Sequence, residues 1–462
     1  MNLSQKDTHL LLRLGFLPYG WAAERLQELG REAFVEEQLY PERIAEDPEV
    51  ERRLGRMRLL EMTPRQLARI ENGEGRAYYR LLQRHLVLHT RSRRRLAARL
   101  EAFWVHHFYV PAESAGAWLA DYHQTLAARS LGSFRELLFA VARHPAMLVY
   151  LNNDTNVAGH PNENYARELL ELHTLGVDGG YSERDVKEAA RALTGWTTHP
   201  RSEDGFYFDP EAHDDGPKRI LGHDLPAGRG IEDGLQLLDL AARHPATARF
   251  VARKLAQWFV SDDPPAGLVE RLAAVFRRGR GRIRPVLREL FGAPEFYAAA
   301  GRRLRTPLEF LTAAMEATGT VFTDEWRLRD TLNRLGQPYL GWKTPDGYPT
   351  QARAWSGTSG LLARWQVALE LTQEADGDPD GGWGLLARLE RRTPAAATVG
   401  AWVRTAALEV WGHEPAPGRL AALVDYASDG AGADRALTPT LAGRKRAGLF
   451  ALLLSAPEFQ WI

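Results

Sequence analysis

The chain has 462 residues, 44% hydrophobic and 26% charged, with 59 basic side chains balanced by 59 acidic ones. Apolar content of this order fills a core and excludes wholesale disorder, and zero net charge argues against nucleic acid as the main partner, because that affinity comes from neutralised phosphates. The absence of cysteine excludes disulfides, thiolate nucleophiles and Cys-ligated metal clusters.

No apolar run approaches the roughly 20 residues of a membrane span. The first residues place Asp7 and Arg13 around a very short apolar stretch, unlike a signal peptide, so a cytoplasmic protein is expected. Apolar spacing then predicts helices along most of the chain. Two short helices flank a turn at Gly15–Gly20, and Leu81, Leu82, Leu86 and Leu88 lie on an Arg-rich stretch that continues to Leu96, Leu100, Phe103 and Trp104. A helix over 133–151 would start at Ser133 as cap. In NENYARELLELHTLGV, Asn162 is a plausible cap and Gly176 a stop; Ser182 and Asp185 open the next helix as a capping box. Residues 197–230 read as a long loop with a small hairpin, 336–360 as a second irregular segment, and 376–382 as a flexible Gly/Asp run. The expected fold is therefore all-α: a main helical domain over 1–300 that includes the 197–230 loop, and a helical C-terminal part over 301–462 packed on it. Two short echoes, RHPA at 143–146 and 243–246 and APEF at 293–296 and 456–459, fit helix-end chemistry better than a duplication.

The 162–176 helix carries the densest polar pattern. On a regular α-helix, Asn164, Glu168 and Glu171 share a side, Glu163, Arg167 and Glu171 form an i, i+4 ladder, and Leu169, Leu172 and Leu175 make an apolar stripe. The bland alternative is a charged surface helix. Glu171 and His173 lack the Glu-x-x-His spacing of di-iron bundles. Lys187 and Arg191 on the next helix could supply cations to those carboxylates. His213, Asp214 and Lys218 cluster in the turn HDDGPKRILG, and of the adjacent His106 and His107 at most one can face a site. Trp342 and Trp355 lie in the second irregular segment, where they could line a groove. G-x-S-x-G, H-E-x-x-H and phosphate-cradling glycine loops are all missing.

These segments together resemble the bacterial DUF1800 family. HLLLRLGFLPYGWAAERLQELGREAFVEEQL is similar to its opening, and FWVHHFYV to its Phe-Trp-x-x-His-Phe element, which aligns His107. PAMLVYLNND, NENYARELLELHTLG, YSERDVKEAARALTGW, HDDGPKRILG, HPATARFVARKLAQWFV and LGQPYLGWKTPDGYP resemble further family elements, although Gly347-Tyr348 stands where a Gly-Trp pair is usual. The resemblance implies one architecture over nearly the whole chain. It also implies relatives that are often exported and encoded beside DUF1501 proteins, which look sulfatase-like and are the implied partner. It supplies no reaction.

Two functional readings follow. In the first, Glu168, Arg167, Arg191 and Lys218 are catalytic or substrate-holding, and His213, Asp214, Glu171 and His107 hold one divalent metal in a hydrolase acting on a small or anionic substrate. Its metal-free form makes Glu168 a general acid/base whose pKa is raised by burial. In the second, the protein is a non-catalytic binding or assembly module whose polar ladder is a structural ion network. One compositional signal bears on both: only six basic residues are lysine (Lys6, Lys187, Lys218, Lys254, Lys343 and Lys445), against 53 arginines. In a chain drifting toward Arg, lysine should persist where a compact ammonium is needed.

Overall fold

Helix boundaries follow local chemistry. In the computed structural model, which describes residues 3–199, 205–320, 322, 324–374 and 397–462, Asn162 caps its helix through Asn164 N, and Ser182 and Asp185 form the reciprocal capping box. Ser133 makes no side-chain cap. The helix expected over 133–151 breaks in two, Phe134–Ala142 and Pro145–Tyr150. Proline disfavours helical backbone in the residue before it, so His144 leaves the helix and its ring accepts from Ala146 N at 3.2 Å. His244 does the same to Ala246 N at 3.2 Å. The RHPA echo is thus a helix-start device, and APEF likewise opens Pro294–Ala298 and Pro457–Gln460 with proline at the first position.

The result is mostly helical, with two small antiparallel hairpins among the described residues. Trp196–Thr198 pairs with Phe206–Phe208, and Lys218–Ile220 with His223–Leu225. The second hairpin turns through Leu221 and Gly222 with φ of 49° and 81°, the two positive values a type I′ turn demands. Leu221 N donates to Asp185 Oδ1 at 2.7 Å, which ties this turn to the capping box. The Gly/Asp run at 376–382 lies outside the described residues. No described helix is long and apolar enough to cross a membrane.

The segment 336–360 lies against the body rather than apart from it. Trp342 N donates to Tyr109 Oη at 2.8 Å, Tyr150 Oη to Lys343 O at 3.0 Å, and Ala352 N to Asp262 Oδ2 at 2.7 Å. The indole N–H groups of Trp342 and Trp355 are spent within the segment, on Asp346 and the Pro349 carbonyl, and both rings pack on Tyr348.

At the centre, Glu309 of the helix Pro307–Thr318 is buried between arginines from distant parts of the chain. It accepts from Arg303 through both oxygens at 2.9 Å and from Arg99 at 2.8 Å, and it caps its own helix at Thr306 N at 3.0 Å. Burial alone would raise its pKa, but Arg303 and Arg99 outweigh that and hold it well below the carboxylate range. Arg13, Arg305 and Arg364, also buried, donate to carbonyls: Arg13 to Val260 at 2.8 Å, Arg305 to Phe459 at 2.7 Å and to Phe16, and Arg364 to Arg305 at 2.7 Å. Arg303 also exchanges backbone hydrogen bonds with Ile462, returning the C-terminus to this centre. The junction between 1–300 and 301–462 is therefore crossed by buried ion pairs.

Glu309→Gln is expected to destabilise the fold by about 3–5 kcal/mol, as breaking one side of a buried pair does. Because the folded carboxyl titrates below its unfolded value, its contribution is full above the ordinary carboxylate range and is lost as pH falls toward the folded pKa. Urea unfolding of wild type and variant across acidic pH should therefore show the difference shrinking as pH drops.

Candidate functional site

Polar groups singled out by sequence occupy two centres. The first gathers Arg191, His213, Asp214 and Lys218 with Asp233, which sequence reasoning did not single out. Lys218 is fully buried, and its ammonium donates to Asp233 Oδ2 at 2.7 Å, Gly216 O at 3.0 Å and Asp214 O, so its three N–H groups are all taken by the chain. His213 Nδ1–H donates to Thr194 O at 2.8 Å and its Nε2 sits 3.5 Å from Asp233 Oδ2. Arg191 forks onto both oxygens of Asp214 at 2.8 and 3.0 Å and reaches Glu188 at 2.9 Å. That fork holds Asp214 below its usual range. Arg191 is thus spent on this turn and not on the carboxylates of the neighbouring helix.

The second centre lies on that neighbouring helix, and its geometry departs from the regular spacing. Glu163–Glu168 is α-helical, but Leu169–Thr174 is a π-helical turn, with Leu175 N bonded to Leu170 O at 2.8 Å and Thr174 Oγ1 to Leu169 O at 2.6 Å. An i→i+5 turn re-aims the residues after it and recurs at functional sites. Leu169, Leu170 and Leu175 are buried while Leu172 is not, so the expected apolar stripe is rotated. The stop at Gly176 holds for two reasons: φ is 84°, and a Cβ there would meet the Phe250 ring at 2.7 Å. Only part of the ladder forms. Arg167 pairs with Glu163 at 3.2 Å and forks onto Glu183 at 2.7 Å, joining two helices, whereas Glu171 has no ion pair among the described residues.

Glu168 and Glu171 are left half-buried, and Glu168 also lacks any described hydrogen bond or ion pair. Burial raises the Glu168 pKa, and the charges of Glu171 and Asp346 add to it against Arg167. Tyr150 is pushed up to about 12 by burial, then by Glu168 and Asp346. Lys254, on the helix Pro245–Phe259, is half-buried with its Nζ 5.5 Å from the Phe250 ring centroid and no described hydrogen bond or ion pair. Burial lowers its pKa and Asp346 opposes this. Burial and then Lys254 depress three histidines: His106 to about 4, His173 to about 3, and His107 well below its ordinary range. All three are neutral at ordinary pH, and His106 donates to Tyr348 O at 2.6 Å and His107 Nε2 to His173 O at 3.0 Å. His107 Nδ1 and His173 Nε2 are buried without a hydrogen-bond partner.

Five segments that carry the family resemblance meet at this second centre, contributing His106/His107, Tyr150, Glu168/Glu171/His173, Lys254 and Asp346. Sequence reasoning singled out Glu168, Glu171 and His107 but not Lys254, Asp346, Tyr150 or His173. Lys254 had a signal, as one of few lysines in an Arg-rich chain. The four residues named as metal ligands are distributed over both centres, His213 and Asp214 in the first, Glu171 and His107 in the second. Among the described residues, no group of three or more His, Asp or Glu is arranged to hold a metal ion.

Fold and centres together define an all-α protein organised around buried ion pairs and two polar centres between helices. The chain belongs to the DUF1800 family, described as a protein of unknown function, whose model matches residues 9–461. No curated protein and no solved structure matches it.

Lys218→Met leaves Asp233 buried without its main cation and is expected to cost about 3–5 kcal/mol in urea unfolding. The double variant Lys218→Met/Asp233→Leu should recover most of that loss, because no buried charge is then left unpaired.

Proposed function

We propose that this protein is an enzyme, a hydrolase by preference, whose reaction centre is the cluster of Glu168, Lys254 and Asp346. One observation carries the reading: a half-buried glutamate and a half-buried lysine, neither paired, have pKa values displaced toward neutrality from opposite sides, and Asp346 acts electrostatically on both. Paired titratable groups displaced in this way suit acid/base chemistry near pH 7. Glu168 takes a proton from water or returns it to a leaving group. Lys254 stabilises a developing oxyanion, the role expected from sequence for Lys218, whose donors are spent. Glu171 keeps Glu168 basic through like charge, and Asp346 keeps Lys254 protonated. An anionic small substrate suits the lysine, and a DUF1501-type protein is the partner proposed from the family resemblance. Hydrolysis is preferred over oxidation because the sequence carries no redox-cofactor motif.

The non-catalytic reading is favoured by one feature, the Lys218–Asp233–Arg191–Asp214 network, in which the three Lys218 donors and the Arg191 fork are taken by the chain. That network accounts for the first centre and leaves the unpaired groups of the second without a purpose.

A panel of chromogenic esters, phosphoesters and glycosides should reveal a wild-type activity that falls on the order of 10²–10⁴-fold in Glu168→Gln and is also lost in Lys254→Met. The wild-type rate should rise with pH through a value above the ordinary carboxylate range as Glu168 deprotonates, and fall again below the ordinary lysine range as Lys254 loses its proton. Metal content by elemental analysis should be the same in wild type and Glu168→Gln, as befits an acid/base rather than a ligand. Activity unchanged in Glu168→Gln would end this assignment.

A further inference from the structure

A concavity away from the reaction centre lies between the first hundred residues and the end of the helix Pro307–Thr318. Its volume is about 550 Å³, within the range of small-molecule sites. Six arginines line it: Arg53, Arg56, Arg80, Arg91, Arg93 and Arg95. Among the described residues, the acids in the lining are Asp47 and Glu316, so the walls carry a surplus of positive charge even after Glu49, outside the lining, takes Arg53. Such a surplus focuses an attractive field on anions.

Three of these arginines, Arg95, Arg93 and Arg56, are incompletely satisfied. Arg95 is 8% exposed, yet its Nε and Nη1 have no hydrogen-bond partner, and its Nη2 is 3.6 Å from Glu316, too far for a good hydrogen bond. Arg93 Nε is also buried without a partner, and Arg93 meets Asp47 only at 3.5 Å. Arg56 is exposed and has no described side-chain partner. Buried donors left unmade cost free energy, which a ligand bearing several acceptor oxygens would recover. Guanidinium forks match phosphate oxygens two at a time.

One wall is aromatic. Trp21 is half-buried and packs against Arg93, whose guanidinium carbon is 5.6 Å from the ring centroid. Tyr19 lies beside it, with its hydroxyl fixed to Glu316 O at 3.0 Å, and Phe322 and Met315 continue the apolar surface. A flat ring next to a cluster of guanidinium groups suits a ligand that is planar at one end and multiply anionic at the other.

We infer that this cleft is a binding site for an organic phosphate whose aromatic ring stacks on Trp21 while its phosphates engage the arginines. The site is separate from the Glu168 centre, since none of that centre's residues lines it.

Calorimetric titration of the full chain with ADP, inorganic pyrophosphate and adenosine tests this. ADP should bind at least tenfold more tightly than pyrophosphate, and adenosine weakest. Arg56→Glu, an exposed change compatible with folding, should weaken ADP at least tenfold, and Trp21→Ala should abolish the preference for ADP over pyrophosphate. Affinity should fall as salt rises, and Glu168→Gln should bind ADP like wild type. The inference is overturned by any one of four results: no binding of ADP or pyrophosphate at millimolar concentration, unaltered affinity in Arg56→Glu, an undiminished ADP preference in Trp21→Ala, or loss of binding in Glu168→Gln, which would move the ligand to the reaction centre.

Discussion

Everything in this protein is arranged around the problem of keeping guanidinium groups dry. Glu309 is the carboxylate that Arg99 and Arg303 share, and Arg13, Arg305 and Arg364 donate to carbonyl oxygens, although Arg13 Nε and Nη1 and Arg305 Nε stay buried without a hydrogen-bond partner. A buried charge without such partners would cost several kcal/mol. The cost of desolvation still shows: burial lowers the pKa of Arg305 to about 9 and of Arg364 to about 10. The acceptors come from Phe16, Val260, Arg305 and Phe459, so the pairs can form only when the first helices, the middle of the chain and the C-terminus have all arrived. Apolar burial supplies most of the driving force, but it is indifferent to which helix lies where. The directional requirement of five buried guanidinium groups is not indifferent, and it selects one arrangement.

Two helices carry that constraint outward. Arg95–His107 places Arg95 in the arginine-lined cleft, Arg99 on Glu309, and His106 and His107 beside Lys254. From Arg95 to His106 is eleven residues, about 16 Å along the axis. Pro307–Thr318 runs from Glu309 to Glu316, which sits at the cleft with its pKa raised by burial to about 7 against Arg95 and Arg305. The cleft, the core and the proposed reaction centre are thus successive stations on shared rigid elements. A core built from ion pairs fixes the rotation of each helix about its axis, which apolar stripes leave loosely set, and that rotation decides which side chains reach either site.

Local features were legible. The Asn162 cap, the Ser182–Asp185 box, the Gly176 stop and the all-α class follow from short-range chemistry that tertiary packing did not override. The π turn was not, because nothing in LLELHT distinguishes i→i+4 from i→i+5 bonding; the burial of Leu170 with Leu175 and the Thr174 hydroxyl accompany the wider register. The cost of that error was specific, since it misplaced Leu172 and Glu171 on the helix face. The partners of Glu168 were invisible for a different reason. Lys254 and Asp346 lie some eighty and more residues away, and one sequence read alone contains no term for that proximity. Thr306-x-x-Glu309 could be read as a capping box, and it is one; that the same glutamate is also the core's counter-ion depends on Arg99, two hundred residues earlier.

The lysine asymmetry separates two explanations that composition alone had merged. Lys187, Lys218, Lys254 and Lys343 all fall in family-like segments, so placement along the chain does not tell them apart. In the structure Lys187 and Lys343 are exposed, and Lys343 contributes its carbonyl, to Tyr150, rather than its charge. Genome drift toward arginine could replace either without altering a buried contact. Lys218 is different. Its three donors converge on a carboxylate and two carbonyls from a point, and a planar fork cannot reproduce that geometry in a pocket with no exposed surface. Lys254 is different again, because its pKa is free to move with burial whereas a guanidinium stays charged. A tunable proton is what an acid/base centre needs and what a structural ion pair does not. The informative lysines are therefore those whose replacement by arginine would change geometry in one case and titration in the other, and they fall one in each polar centre.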